Sequence, residues 1–122
     1  MLTKEKIPFI NENRLMTKAL KIMTEKKLGT LIVRNKKNHT TGIITDGQIR
    51  RFNSKNINLN SLKVKDVMTK NPIKVDKNIL ATKALSIMNE KKITSLCVYD
   101  GKRRAITTGI LHIHNILNKK IY

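Results

Sequence analysis

The sequence predicts an α+β fold, close to α/β in character, built from two repeats that each run β-α-β-β-α. The first observation is a duplication, because residues 17–33 read TKALKIMTEKKLGTLIV and residues 82–98 read TKALSIMNEKKITSLCV. Eleven of these 17 positions are identical at an offset of 65 residues, far beyond chance. The second observation is that both copies change from helical to strand-like periodicity at the same point. One copy buries too little to be stable alone, so we expect the repeats to pack sheet to sheet with pseudo-twofold symmetry.

Each repeat opens with an extended segment and a long amphipathic helix. The extended segments are expected around Pro8–Ile10 and Ile73–Val75. Asn13 and Asn78 stand just before the helices, where a short polar side chain can cap free N–H groups. Apolar residues then follow at i, i+4, i+7 and i+8, which puts them on one helix face. These residues are Leu15, Ala19, Ile22 and Met23 in the first repeat, and Leu80, Ala84, Ile87 and Met88 in the second.

Two strands and a short helix complete each repeat. The predicted strands are Thr30–Arg34, Thr41–Thr45, Ser95–Tyr99 and Ile106–Leu111, and the predicted short helices are Gly47–Phe52 and Ile113–Asn118. The stretch between the repeats is polar and carries no clear periodicity. We therefore expect the first repeat at residues 1–53, a connector at residues 54–64 and the second repeat at residues 65–122.

The formal net charge of +18 comes from 26 basic and 8 acidic residues. Such a charge attracts polyanions and phosphorylated metabolites. A simpler origin is an AT-rich coding sequence, because lysine, isoleucine and asparagine make up 50 of the 122 residues. The lysines are scattered, and four aromatic residues offer few stacking platforms for single-stranded nucleic acid. We therefore do not expect nucleic acid to be the main partner.

Cys97 is the single cysteine, so no intramolecular disulfide can form. Its apolar neighbours in SLCVY predict a small buried side chain and not a reactive thiol. The N-terminal residues contain no apolar signal core, and no run approaches the roughly 18 apolar residues of a membrane span. We expect a cytoplasmic protein with no membrane partner.

Four stretches carry a resemblance to a known family: TDGQIRR (45–51), DVMTKNP (66–72), EKKITSLCV (90–98) and GILHIHNIL (109–117). With the duplicated β-α-β-β-α unit, they resemble the C-terminal CBS-domain pair (Bateman module) of the KpsF/GutQ family, over essentially the whole chain. The family's members are D-arabinose 5-phosphate isomerases, which interconvert ribulose 5-phosphate and arabinose 5-phosphate for Kdo and lipopolysaccharide synthesis. Their isomerase domain would precede residue 1, so the resemblance implies either a regulatory fragment or a stand-alone CBS pair.

The first candidate ligand site lies where a strand of the first repeat meets its short helix. Thr45 offers a hydroxyl group, and the helix that starts at Asp46 offers free N–H groups to an anion. Either Arg50 or Arg51 can supply a guanidinium fork; adjacent helix positions diverge by about 100°, so we expect one of them, Arg51, to face the site. The alternative is that both arginines are solvated and Asp46 only caps the helix.

Gln48 and Asn115 stand where the family normally has Asp. In CBS pairs that bind adenosine nucleotides, this Asp accepts hydrogen bonds from the ribose hydroxyls. A neutral amide accepts more weakly than a carboxylate, so the resemblance implies a weaker ribose contact here. The alternative is that both residues are structural, as polar residues at a helix start. We keep both as candidate ligand-binding residues.

The second candidate site draws on seven residues: Lys70, Asn71, Thr94, Ser95, His112, His114 and Asn115. The dipeptides at 94–95 and 29–30 precede equivalent strands, so we expect Thr30 to contribute with Thr94 and Ser95, where backbone groups can read a base edge. The two histidines suggest zinc, but structural zinc needs four ligands. We expect no metal, and no group of side chains in the sequence suggests catalysis.

The expected function is therefore that of a regulatory, ligand-sensing module and not of an enzyme. It would bind a small anionic nucleotide or sugar nucleotide between the repeats and require no cofactor. CMP-Kdo, the downstream product of the pathway, is one candidate, and an adenine nucleotide is the other. Two alternatives stay open: a ligand-free dimerisation or spacer module that forms homodimers through the CBS helices, and a basic nucleic-acid-binding domain.

Overall fold

The computed structural model describes residues 2–3, 7–26 and 29–118. Strands and helices are both present along the chain and follow the predicted β-α-β-β-α order in each repeat, with additional short elements. In order they are β1 (Leu2–Thr3), β2 (Phe9–Asn11), α1 (Met16–Lys26), β3 (Thr30–Arg34), β4 (Thr40–Thr45), α2 (Asp46–Ser54), a 3-10 turn (Leu59–Ser61), α3 (Val64–Val67), β5 (Thr69–Lys70), β6 (Lys74–Asp76), α4 (Ala81–Lys91), β7 (Ser95–Tyr99), β8 (Gly109–His112) and α5 (Ile113–Asn118).

The chain divides into two compact units, each with its own sheet. The first unit comprises residues 8–72, and the second comprises residues 1–7 and 73–122. The strand orders are β2-β3-β4-β5 in the first unit and β1-β8-β7-β6 in the second. In each sheet the strand that precedes the long helix (β2 or β6) pairs in parallel with the strand that follows that helix, and the other pairs are antiparallel. The α+β tandem-repeat architecture predicted from the duplication is confirmed.

The edge strands do not follow the repeats of the sequence. Strand β5 lies at the start of the second repeat, yet it pairs with β4 in the first unit, with Gly42 opposite Lys70. Strand β1 lies at the start of the first repeat, yet it pairs with β8 in the second unit, with Thr3 opposite Gly109. Each compact unit therefore contains a short strand from the other repeat.

The long helices α1 and α4 bury only part of the faces that their periodicity predicts. Leu15 and Leu80, which were predicted on these faces, stand directly before the first helical turn and are exposed. Ala19 and Met23 of α1 are buried, and so are the equivalent residues Ala84 and Met88 of α4. Helix α4 ends at Lys91, and Lys92 follows in a left-handed conformation. Within the described ranges, no helix is both long enough and apolar enough to cross a bilayer.

The predicted caps of these helices are wrong. Helix α1 begins at Met16, and α4 begins at Ala81 with Leu80 at the N-cap position. The backbone N–H of Asn13 instead donates to the side chain of Asn11, and the N–H of Asn78 donates to the side chain of Asp76. Asn13 and Asn78 therefore lie in the turns that precede the helices, since short polar side chains at the strand ends hold these turns locally.

The two units have equivalent cores around a central strand. Strands β3 and β7 are buried along most of their length, with Leu31 and Val33 of β3 equivalent to Leu96 and Val98 of β7. In the first unit the buried cluster is Ile10, Met16, Ala19, Met23, Leu31, Val33, Ile44, Leu59, Val64 and Val67. In the second unit it is Val75, Ala84, Met88, Leu96 and Val98. The cores agree with the apolar pattern of the repeats.

The connector is more structured than its polar composition suggests. Helix α2 continues to Ser54, and the 3-10 turn then brings Leu59 into the core of the first unit. Val64 and Val67 of α3 are buried in the same cluster. The backbone N–H of Met16 donates to the carbonyl of Leu62 (2.8 Å), which ties the start of α1 to this segment. The segment thus completes the first core.

The last strand of the second unit is shorter than predicted. The sequence suggested a strand over 106–111, but β8 begins at Gly109 and ends at His112. A turn precedes it, in which the N–H of Ile106 donates to the carbonyl of Arg103 (3.1 Å). The N–H of Thr108 already reaches the carbonyl of Val98 (2.8 Å), so pairing with β7 starts directly after the turn.

Gly42 is the position where the absence of a side chain matters most for the first sheet. A Cβ atom built on Gly42 would overlap the sulfur of Met68 and would lie 2.8 Å from its Cγ and 3.0 Å from its Cβ. Met68 is half-buried and packs against the core of the first unit. Glycine therefore lets the α3–β5 segment lie directly on β4.

We predict that Gly42→Ala destabilises the protein by about 1–3 kcal/mol, the usual cost of overpacking. Urea unfolding measures this, with Gly47→Ala as a control, because a methyl group on Gly47 meets no atom closer than 3.7 Å. Adding Met68→Ala gives the new methyl group space, so the double variant should lose less stability than the sum of the single losses. Additive losses would contradict the contact.

Candidate functional site

The start of α2 is held against the strand next to it. Thr45 ends β4 in an extended conformation and is the N-cap residue of α2. The backbone N–H of Asp46 donates to the carbonyl of Gly29 (3.0 Å), just before β3, and Thr30 pairs with Thr45 in the sheet. Thr30 is buried, whereas the Asp46 side chain is exposed. A Cβ on Gly29 would lie 2.8 Å from a carboxylate oxygen of Asp46, so this carboxylate rests on the backbone of Gly29.

Gln48 is buried beneath the first turn of α2, with 6% of its surface exposed. Its carbonyl oxygen accepts hydrogen bonds from the backbone N–H of Thr45 (2.7 Å) and from the Thr45 hydroxyl (3.3 Å). Its amide nitrogen donates to the carbonyl oxygen of Val67 (3.4 Å) and to the Thr69 hydroxyl oxygen. The side chain of Gln48 therefore links the start of α2 to α3 and β5.

The two arginines of α2 turn back toward its first turn. A nitrogen of Arg51 lies 3.7 Å, and one of Arg50 lies 3.9 Å, from the point where a Cβ on Gly47 would stand. The Thr45 hydroxyl oxygen lies 3.8 Å from the same point. Both arginines are exposed, and within the described residues neither forms an ion pair with a carboxylate. The structure thus brings both guanidinium groups, and not one, to Gly47, where an oxyanion could contact them.

Lys70 and Asn71, predicted in the second site, belong to the first unit. Lys70 is exposed on β5 and pairs with Gly42, next to the strand that leads into α2. Asn71 is exposed in a left-handed conformation (φ 50°), and its N–H donates to the carbonyl of Thr41 (3.4 Å). Lys70 therefore shares a sheet with Thr45, Asn71 directly follows that sheet's edge strand, and both lie in a different unit from the predicted histidines.

In the second unit, the start of α5 repeats the backbone arrangement of α2. The N–H of Ile113 donates to the carbonyl of Thr94 (2.8 Å), as Asp46 donates to Gly29 in the first unit. Ser95 is buried and pairs with His112, whereas Thr94 is exposed. The side chain of Asn115 lies outside what the structure describes. The two helix starts are therefore equivalent in their backbone hydrogen bonds as well as in their position in the sequence repeat.

His112 and His114 stack on each other at the start of α5. Their ring centroids are 4.7 Å apart with an interplanar angle of 18°. The backbone N–H of His114 donates to Nδ1 of His112 (3.3 Å), which keeps that nitrogen an acceptor. Burial, followed by the charge of His114, lowers the pKa of His112 below its usual 6.5. This environment favours a neutral imidazole at residue 112.

Neither a metal centre nor a reactive thiol emerges from the described part of the chain. Within it, no three His, Cys, Asp or Glu side chains gather as a metal ion would require. Cys97 is buried, as predicted, and burial raises the pKa of its thiol to about 11 despite a hydrogen bond from Thr107 and the charge of Lys74, which both lower it. Such a thiol is protonated at neutral pH and is a poor nucleophile.

Three contributors at the first helix start are not among the residues singled out from the sequence: Gly47, Val67 and Thr69. Gly47 stands inside TDGQIRR, and its position directly after the predicted cap could have suggested an open space for a ligand. Val67 and Thr69 carry no such signal, because they follow Gln48 by 19 and 21 residues and meet it only through the fold.

A family model described as "CBS domain" matches residues 2–55 and 64–121. Two curated relatives share most of the chain. Arabinose 5-phosphate isomerase KdsD from Yersinia pestis is 38% identical over 117 residues, and KdsD from Escherichia coli K12 is 35% identical over 117 residues. These matches cover 96% of this chain but 35% of each relative. The chain thus spans about a third of the length of these relatives.

Solved structures share the fold at low sequence identity. A signal-transduction protein with CBS domains from Burkholderia ambifaria superposes with a TM-score of 0.84 at 23% identity, covering 94% of this chain and 82% of that one. CBSX2, solved in complex with AMP, superposes with a TM-score of 0.81 at 23% identity, covering 98% of this chain and 90% of that one. At such identities the likeness supports the fold alone.

We predict that His112 in the folded protein titrates below pH 6.5, as followed by the NMR shift of its ring proton. The folded-state pKa is lower than that of the unfolded chain, so its contribution to stability is present above about pH 6.5 and is lost as the pH falls below that value. In His114→Asn the pKa of His112 should rise yet stay below 6.5, because burial is the larger cause. A midpoint at or above 6.5 in the wild-type protein would contradict this environment.

Proposed function

The chain belongs to the CBS domain family, and we propose on that basis that it is the ligand-sensing regulatory module of an arabinose 5-phosphate isomerase that serves Kdo and lipopolysaccharide synthesis. In this proposal it binds a small anionic nucleotide or sugar nucleotide and performs no catalysis itself. The observation that carries the proposal is the identity to KdsD along 96% of this chain, confined to 35% of the KdsD length. A sensing module attached to a separate catalytic region accounts for that ratio.

The chemistry at the start of α2 supports an anionic ligand. The first N–H groups of a helix lack intrahelical partners, and the dipole of the helix favours negative charge there. Two guanidinium nitrogens and the Thr45 hydroxyl surround the open position beside Gly47, within 4 Å of it. Arg binds phosphate and carboxylate groups through two parallel hydrogen bonds, so either group suits this position.

Two ligands fit this chemistry best. CMP-Kdo carries both a phosphate and a carboxylate and is a downstream product of the proposed pathway, so its binding would allow feedback. An adenine nucleotide is the other candidate, because CBSX2 shares the fold and is solved in complex with AMP. With Gln48 buried and fully hydrogen-bonded, recognition would rest on the anionic group more than on the ribose.

We predict that calorimetric titration with CMP-Kdo, AMP and ATP gives binding for at least one ligand. Arg50→Gln/Arg51→Gln should weaken that binding at least about tenfold, because hydrogen bonds to charged groups contribute about 1.5–3 kcal/mol. The matched control is Arg103→Gln/Arg104→Gln, an adjacent exposed pair in the second unit that removes the same charge. Heat from none of the three ligands, or equal weakening in both variants, would refute the proposal.

A second candidate function is association into homodimers, with the module acting as a spacer. Leu15 and Leu80 occupy equivalent positions directly before α1 and α4, and they are 50% and 72% exposed. Large apolar side chains that recur at equivalent exposed positions are candidates for a protein–protein contact. This observation favours association through the N-terminal ends of the long helices.

We predict that sedimentation equilibrium detects a dimer, and that Leu15→Glu/Leu80→Glu converts it to monomer because charged residues in an apolar contact are costly. Ile57→Glu is the control, since Ile57 is also apolar and exposed (38%) but lies in the connector. A monomeric wild-type protein, or dissociation by the control to the same extent, would exclude this contact.

A further inference from the structure

We propose that Gln48 is a positioning residue, which fixes the start of α2 by bonds inside the first unit and makes no ligand contact of its own. A glutamine side chain offers two donor protons and two acceptor lone pairs. All four have partners within the unit: the N–H and hydroxyl of Thr45, the carbonyl of Val67 and the hydroxyl of Thr69. With 6% of its surface exposed, Gln48 has nothing left with which to read a ligand.

The bonds of Gln48 act on two different parts of the unit. On one side they orient Thr45, whose hydroxyl lies beside the open position at Gly47. On the other side they hold Val67 and Thr69, at the junction of α3 and β5. Gln48 thus fixes the start of α2 relative to β5. An aspartate at this position has a shorter side chain and no donor in its ionised form, so it could not make this link.

The edge strand of the second sheet has a different residue type at the position equivalent to Thr69. In the first sheet Thr69 pairs with Ile43, and in the second sheet the residue at the equivalent register is Leu2, which pairs with Ile110. Leucine has no hydroxyl group, so the bond from Gln48 to Thr69 has no counterpart at that position. The two repeats therefore differ in the residue type at this edge-strand position, although their sequences are closely related.

The inference rests on the proposed function, because it assigns the anion contacts to other residues of that site. Arg50 and Arg51 would contact the anion, while Gln48 and Thr69 would hold Thr45 and the first turn of α2 in place. Changing Thr69 should then weaken anion binding although Thr69 lies 24 positions from Thr45 in the sequence.

The first test uses the protein without ligand. NMR measures hydrogen exchange at the backbone amide of Thr45, which donates a hydrogen bond to the side-chain oxygen of Gln48. We expect Thr69→Val to speed exchange at Thr45 at least about threefold and Gln48→Leu at least about tenfold, from the usual contribution of one and of several hydrogen bonds. Thr41→Val is the matched control, because it removes the hydroxyl of a nearby threonine that has no hydrogen-bond partner. Exchange at Thr45 that is equal in wild type, Thr69→Val and the control would overturn the positioning role.

Titration with inorganic phosphate, followed at the Gly47 amide, then tests the consequence for binding. Weaker phosphate binding in Thr69→Val than in Thr41→Val supports the proposal. Equal phosphate binding despite faster exchange overturns the claim that this support strengthens anion binding. If the wild-type Gly47 resonance does not respond to phosphate at all, the anion site of the proposed function fails. The exchange rates still decide the positioning role in that case, so the two failures are distinguishable.

Discussion

The candidate site of the first unit depends on the hydrogen bonds made by the buried side-chain amide of Gln48. A buried polar group without partners costs free energy, so the unit loses stability whenever Thr45, Val67 or Thr69 is not in place around Gln48. These partners come from the end of β4 and from the α3–β5 segment at the start of the second repeat. The helix start and the edge strand are therefore one cooperative element, because displacing either would leave the amide unsatisfied.

The duplication accounts for the framework, whereas the differences between the copies account for its chemistry. Both units keep the same buried positions on the long helix and the central strand. In both, a backbone hydrogen bond of 2.8–3.0 Å ties the start of the short helix to the residue just before the central strand. The side chains at those helix starts have diverged, with Thr45 and Gln48 in one copy and stacked His112 and His114 in the other. Two ligand positions of equal specificity are not expected from such different groups.

Most of the fold was predictable because its signals are local and occur twice. The periodicity of α1 and α4 and the apolar runs of β3 and β7 are each complete within a few residues. The connector was not predictable, because Leu59 and Val64 are isolated among polar residues and become core residues only through contacts distant in sequence. The same holds for the site: the helix start at Thr45 follows from TDGQIRR, but the burial of Gln48 depends on Thr69, and the caps assigned to Asn13 and Asn78 failed because bonds within the preceding turns take precedence.

The net charge of +18 attracts anions to the whole protein surface, whether or not a specific site exists. Scattered lysines raise the concentration of any phosphorylated compound near the surface, within a Debye length of about 8 Å at physiological salt. Selectivity therefore cannot come from charge alone and must come from fixed geometry, which rigid hydrogen-bonded groups supply and mobile lysine side chains do not. Near α2 the geometry is fixed by a neutral residue, Gln48, and the charge is supplied by two arginines that lie beside a glycine. In a site that divides these roles, changing the arginines lowers the affinity for anions. Changing Gln48 lowers the selectivity among them.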